Sequence, residues 1–169
     1  MELNEVLLKR RSVRKYTDEK VSDKEIEEIL HAAMSGPSAM NKTPWEFYVV
    51  TNETKLKEIK TAGSYTGYDA PLAIVVAADM NRTLEGKLKD FWVQDCSSAT
   101  ENILLAAANL GLGSVWCGMY PIEQSVKNLQ KVLGLKENII PFNVIYIGHP
   151  AVEVEPRDQY KEEFVHIIK

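Results

Sequence analysis

Arg10-Arg11-Ser12-Val13-Arg14-Lys15-Tyr16 is the stretch on which the reading of this chain turns. With Lys9 it places five positive charges in seven residues, and it holds three of the five arginines in the 169-residue chain. The rest of the molecule is acidic, for a net charge of -4. That balance argues against general affinity for nucleic acid or an anionic membrane surface and points to a small anionic ligand. Arginine offers a planar fork of donors that matches phosphate oxygens, and a serine hydroxyl adds another donor. If the stretch is extended, alternate residues Arg10, Ser12 and Arg14 converge on one side. A solvated basic turn is the competing reading, because charge runs are usually surface.

Outward from this cluster the chain reads as one domain over residues 1–169, without repeats, low-complexity tracts or linkers. Residues 2–10 have helical spacing, with Leu3, Val6, Leu7 and Arg10 in step. Ser22 and Glu25 form a capping box before an apolar face of Ile26, Ile29, Leu30, Ala33 and Met34. That helix is expected to stop at Ser35-Gly36-Pro37. Strands are expected at Trp45–Val50, Pro71–Ala78, Ser114–Met119 and Phe142–Ile147, and further helices at 53–62 (with Gly63 as the stop), 91–110 and 122–133. In the longest helix Trp92, Cys96, Ala99, Ile103, Ala106 and Leu110 repeat as a seam suited to another helix, which places it centrally or at a subunit interface. The order of elements is α+β or α/β, with three to five strands between helices. The apolar tail Phe164-Val165-His166-Ile167-Ile168 has no obvious place in its own domain, which suggests exchange with a partner chain.

Two further segments could carry chemistry. Gly36-Pro37-Ser38-Ala39-Met40-Asn41-Lys42-Thr43-Pro44-Trp45 is a rigid loop able to set backbone groups against a ligand, or simply a turn. Gly111-Leu112-Gly113-Ser114-Val115-Trp116-Cys117-Gly118 allows a flat ligand or another backbone to approach, but its glycine spacing is not that of a dinucleotide fingerprint. Cys117 has no histidine in a motif relation to it and reads as a buried, inert thiol. There is no P-loop, no Gly-x-Ser-x-Gly, no His-Glu-x-x-His and no Cys-x-x-Cys. The expectation is therefore a binding protein or an enzyme whose cofactor supplies the reactivity, with no metal. Two cysteines, no signal peptide and no run of apolar residues long enough to cross a bilayer give the expectation of a cytoplasmic protein without a membrane span.

In this order the three segments resemble the FMN-dependent nitroreductase family. Arg10–Tyr16 is similar to its Arg-Arg-Ser-x-Arg-x-aromatic motif, and Pro37–Phe47 to its Pro-Ser-x-x-Asn-x-Gln-Pro-Trp-x-Phe loop. Gly111–Gly118 resembles its helix-to-strand junction, Gly148-His149-Pro150 its Gly-x-Pro, and Arg157 stands where a late phosphate-binding arginine is usual. Two positions depart from the pattern: Thr43 replaces the usual glutamine, and Glu155 stands where lysine is common.

The resemblance implies an α+β three-layer fold, with a central, mostly antiparallel sheet flanked by helices, in an intertwined homodimer. It implies that Arg10, Arg11, Ser12, Arg14 and Arg157 bind the phosphate and ribityl end of FMN. Pro37, Ser38, Ala39 and Asn41 would come from the other subunit, and Trp116, Cys117 and Gly118 would line the isoalloxazine. Helix 91–110 would supply the dimer seam and Phe164–Ile168 would pack on the partner. NADH or NADPH would reduce the flavin, and a small-molecule acceptor, nitroaromatic, quinone or similar, would reoxidise it by ping-pong exchange. No catalytic acid or base side chain is required. Two alternatives stay in competition: a flavin-binding or flavin-storage protein with the ring covered, and a polyanion binder using residues 9–15, which predicts steep salt dependence.

Overall fold

Short-range signals place most of the elements. The computed structural model describes residues 2–169. Its helices are α1 (Leu3–Lys9), α2 (Asp23–Met34), α3 (Glu53–Ile59), α4 (Phe91–Asn109) and α5 (Glu123–Leu133). Its strands are β1 (Trp45–Val50), β2 (Leu72–Asp79), β3 (Gly113–Gly118) and β4 (Ile139–Gly148). The capping box is present: Ser22 Oγ accepts the Glu25 N–H, and the Glu25 carboxylate accepts the Ser22 N–H. Two expected bounds shift, for identifiable reasons. Helix α3 ends at Ile59, before Gly63, because the buried Thr66 hydroxyl bonds into the Lys60–Gly63 turn and offers the backbone an alternative to another helical turn. Strand β4 starts three residues before Phe142 and includes Pro141, which sits where the β2–β4 register shifts and β4 carries one extra residue, Phe142, between the partners of Val76 and Ala77.

The strands pair in the order β1-β2-β4-β3, all antiparallel. The central strands β2 and β4 are covered on both faces, which explains why Leu72–Ala78 is apolar without alternation. One face packs on α2 and α4, through Ile29, Ala33, Trp92, Cys96, Ala99 and Ile103 against Ile74, Val76, Ile145 and Ile147. The other packs on α3 and α5, through Leu56, Ile59, Val126 and Leu129 against Val75, Val144 and Tyr146. The result is the α+β three-layer arrangement expected.

Helix α4 takes the first of its two expected places, the centre of the domain, where it packs on α2 and the sheet. Trp92, Cys96, Ala99 and Ile103, the larger part of its seam, are buried in this chain's own core. A seven-residue stripe serves a sheet as readily as a partner helix, so periodicity alone does not identify the neighbour. Leu105, Ala106, Ala108 and Leu110 remain partly exposed. The tail from Ala151 runs almost wholly exposed, with Phe164 at 72%, Ile167 at 77% and Ile168 at 97% of full exposure. It is tied to the domain by the Ala151 N–H on Lys15 O, the Arg157 N–H on Leu8 O and the Arg11 side chain on Glu155 O.

Candidate functional site

The basic segment leaves α1 at Arg10, meets β3 at Ser114 and crosses the Gly113–Gly148 end of the sheet to Tyr16, which bridges Pro150. Ser12 bridges Ser114 in parallel sense, and the Val13 N–H donates to Ser114 O at 2.9 Å. Val13 is buried on Gly113, where an added Cβ would lie 2.7 Å from Val13 Cβ and Cγ1. With Val13 inward, Ser12 and Arg14 face outward and are exposed, as alternation in an extended stretch requires. Arg10 Nε lies 3.7 Å from Glu101 of α4, a loose, partly exposed ion pair that leaves most of its donors free. Arg14 Nε donates to the Tyr68 hydroxyl at 3.2 Å. The arginines therefore fan out. Arg11 is turned to the tail, where it donates to the Glu155 carbonyl, and Arg157 is held nearby by its own main chain. The Glu155 departure touches this contact only through its backbone, so its side chain does not enter it. Below the segment, the Tyr16 hydroxyl lies 2.6 Å from Val13 O and 3.2 Å from Tyr146 O. Burial pushes the Tyr16 phenol well above its ordinary range, so it serves as a neutral donor.

The second segment is built on α4. Gly36 lies flat on that helix, where an added Cβ would meet Ser98 Oγ at 2.7 Å and Ala99 N at 3.3 Å. The Ala39 N–H donates to Asp95 Oδ1 at 2.7 Å, and Ser38 Oγ accepts the Thr43 N–H at 2.9 Å. This last bond uses the main chain of residue 43, so it does not depend on the glutamine that Thr43 replaces. Met40, Asn41 and Thr43 have φ of 50°, 54° and 42°. Left-handed backbone is costly for a β-branched residue, and such outliers collect where a loop is held for a purpose. Thr43→Asn is expected to stabilise the protein by about 0.5–1 kcal/mol, since asparagine tolerates this conformation; an unchanged or lowered midpoint in urea would show no strain to relieve. Pro37 and Asn41 are exposed, while Ser38 and Ala39 are half-buried.

The third segment is β3 itself. Adjacent strand residues point to opposite faces, and Trp116 and Cys117 do so here. Trp116 packs edge-on to Phe142 with ring centroids 5.6 Å apart, on the α4 side. Cys117 lies in the core on the α5 side, and burial pushes its thiol up to about 11, partly offset by Arg14. It is an inert thiol, as its surroundings in sequence suggest, and can meet a ligand beyond the Trp116 face only through its main chain. Gly118 is exposed, with nothing within 4 Å of a would-be Cβ, so a flat group can approach there.

Arg10, Arg11, Ser12, Arg14 and Arg157 thus gather around the Ser114 end of β3, Trp116–Gly118 continues that strand towards its other end, and Pro37–Asn41 stands apart from the basic segment. The loop meets α4 at Asp95, whereas Arg10 meets it at Glu101, about 9 Å further along the axis and on another face. A cavity of about 260 Å³ lined by Lys9, Arg10, Arg11 and Ser114 has no wall from the loop, nor has a groove of about 620 Å³ lined by Tyr16, Lys57 and Tyr68. Sequence reasoning missed three residues that contact these segments: Tyr68, Glu101 and Asp95. Tyr68 and Glu101 carry no local signal. Asp95 carries one, an acid within the buried stripe of a helix, three residues after Trp92.

Among the described residues no group of histidine, cysteine and acidic side chains is placed to hold a metal, and no helix is long and apolar enough to cross a membrane. A family model described as the nitroreductase family matches residues 7–64 and 58–149. A Methanothermobacter thermautotrophicus protein named for NADH dehydrogenase or NAD(P)H nitroreductase activity is 45% identical over 171 residues, covering 100% of this chain and 88% of that one. An FMN-dependent nitroreductase from Clostridium difficile is 31% identical and superposes with a TM-score of 0.88 over 97% of this chain and 98% of that one. A Desulfovibrio desulfuricans structure, described as a nitroreductase in complex with FMN, is 28% identical with a TM-score of 0.84 over 100% of this chain and 98% of that one. With its motifs, its three-layer fold and these matches in agreement, the chain belongs to the nitroreductase family.

Proposed function

We propose that the protein is an FMN-dependent NAD(P)H oxidoreductase that reduces a nitroaromatic, quinone or similar acceptor by ping-pong exchange. One observation carries the reading: the Val13–Ser114 hydrogen bond, with Val13 buried on Gly113, turns Ser12 and Arg14 outward as exposed donors at the Ser114 end of β3, the strand that ends in the open Gly118. The residues fit the cofactor. Ser12 and Arg14 are exposed donors, Arg10 has only a loose counter-ion, and Gly118 leaves room for a ring. Arg10, Ser12, Arg14 and Arg157 hold the phosphate and ribityl end, with Arg11 fastening the tail beside them. Trp116 and the main chain of Cys117 and Gly118 orient the ring. Bound FMN supplies reversible two-electron chemistry between the nicotinamide donor and the acceptor. The chain's own part is to bind, orient and limit access, so no acid or base side chain is assigned a catalytic role.

The working form in this proposal is a homodimer, with Pro37, Ser38, Ala39 and Asn41 reaching the partner's cofactor and Phe164–Ile168 packing on the partner. The separation of the loop from its own basic segment supports the first part, and the exposed apolar tail supports the second. Two unpaired thiols support a cytoplasmic location.

Purified protein is expected to carry a flavin absorption spectrum that bleaches under anaerobic NADH or NADPH and returns on adding a nitroaromatic. Protein that takes up no FMN contradicts the cofactor. Bound FMN that neither donor reduces contradicts the enzyme and leaves a flavin-storage protein.

A further inference from the structure

Three anchors fasten the end of α2 and the loop after it to one side of α4. The Asn102 side chain donates to Ala32 O at 2.9 Å, Gly36 lies against Ser98 and Ala99, and Asp95 accepts the Ala39 N–H at 2.7 Å. Residues 95, 98, 99 and 102 recur at helical spacing, so a single face of α4 carries all three. The first two fix where the chain leaves α2. Only Asp95 reaches into the turn that precedes the left-handed residues Met40, Asn41 and Thr43.

Asp95 is 5% exposed, and no cation pairs with it among the described residues. Burial raises its carboxyl above the usual range, and the Ala39 N–H is the contact that opposes this. A carboxylate placed in a core without a counter-ion costs stability, so its presence calls for a return elsewhere. Among the described residues its one hydrogen bond comes from Ala39, a residue of the candidate cofactor loop. The loop's internal braces, the Asn41 N–H on Ser38 O, the Lys42 N–H on Ala39 O and the Thr43 N–H on the Ser38 hydroxyl, close the turn but do not tie it to the body of the protein.

We propose that Asp95 is a positioning residue for cofactor binding: through the Ala39 N–H it holds the Pro37–Asn41 loop, in advance of any ligand, in the form that engages FMN. The inference rests on the functional reading above, in which this loop contacts the cofactor. Asp95 itself touches no flavin atom in this scheme. It acts by removing the ordering cost that a free loop would meet on binding.

The test uses the full-length protein stripped of flavin, with wild type, Asp95→Ala and Asp95→Asn compared. Asparagine keeps an acceptor oxygen of the same reach and removes the charge. Hydrogen exchange in the flavin-free protein reads the loop directly: the Ala39 amide is expected to be protected in wild type, unprotected in Asp95→Ala and protected again in Asp95→Asn. Fluorescence titration with FMN is expected to show binding weakened about tenfold or more in Asp95→Ala and within about threefold of wild type in Asp95→Asn. The visible circular dichroism of bound flavin is expected to change in the alanine variant and to recover in the asparagine variant. An Ala39 amide that exchanges freely in wild type overturns the proposal, whatever binds. A folded Asp95→Ala protein with wild-type FMN affinity overturns it too. Wild type that shows a protected Ala39 but no FMN binding overturns the functional reading instead, and with it the role assigned to the loop. Should Asp95→Ala not fold, wild-type exchange and the Asp95→Asn titration decide: free exchange or lost affinity in the asparagine variant counts against the proposal.

Discussion

Replacing Arg10 and Arg14 together with alanine is expected to yield a folded protein that no longer retains FMN. Arg14 is exposed and donates to the Tyr68 hydroxyl at 3.2 Å, and Arg10 pairs loosely with Glu101 at 3.7 Å. Removing such surface contacts costs about 1 kcal/mol or less of stability. Against a phosphate the same side chains are worth far more, since charge-assisted hydrogen bonds contribute about 1.5–3 kcal/mol each. Two of them amount to a loss of affinity of two to four orders of magnitude, roughly, if the effects add. The measurement is FMN content after desalting and the dissociation constant by fluorescence, with the thermal midpoint as control. A double variant that keeps full FMN occupancy would move the phosphate away from this cluster.

Gly113→Ala has the second large effect, and it acts from inside. The new Cβ would fall 2.7 Å from Val13 Cβ and Cγ1 and 2.9 Å from Cγ2, closer than real contacts allow. Because Val13 Cβ itself is in the way, no rotation of the side chain relieves the clash; the segment must move off β3. That opens the Val13–Ser114 hydrogen bond and swings Ser12 and Arg14 out of register. Overpacking of this kind costs about 1–3 kcal/mol, and FMN affinity falls with it. Combining it with Val13→Gly removes the obstructing atoms, so the double variant is expected to be more stable than the sum of the singles by about 1 kcal/mol or more. Urea denaturation of the flavin-free proteins measures this coupling. Strict additivity would mean that Val13 is not seated on Gly113.

Several features were legible in the sequence. The capping box at Ser22 and Glu25, the break at Ser35-Gly36-Pro37 and the doubly covered strand Leu72–Ala78 all follow from neighbours a few residues apart. So did the inert character of Cys117, from the lack of any base in a motif relation to it. The stripe on α4 was legible as a stripe, but whether it served a sheet or a partner was not. The start of β4 at Ile139 was hidden because a proline inside a strand is admissible at a bulge, and the register shift that lets Pro141 in shows only once β4 is paired with β2.

By itself, then, the sequence determined the order and kind of elements and the family, because capping, turn formation and periodicity act within a turn or two of chain. Tertiary structure alone decided how the site is held. Val13 meets Gly113 and Ser114, Arg11 meets Glu155, and Ala39 meets Asp95, each pair far apart along the chain. Five positive charges in seven residues look equivalent in a row. Only packing against β3, α4 and the tail separates Ser12 and Arg14, which face outward, from Arg11, which fastens the chain. The physical reason is that a side chain's direction depends on what buries its neighbour, and here the neighbour, Val13, is buried by a glycine a hundred residues away.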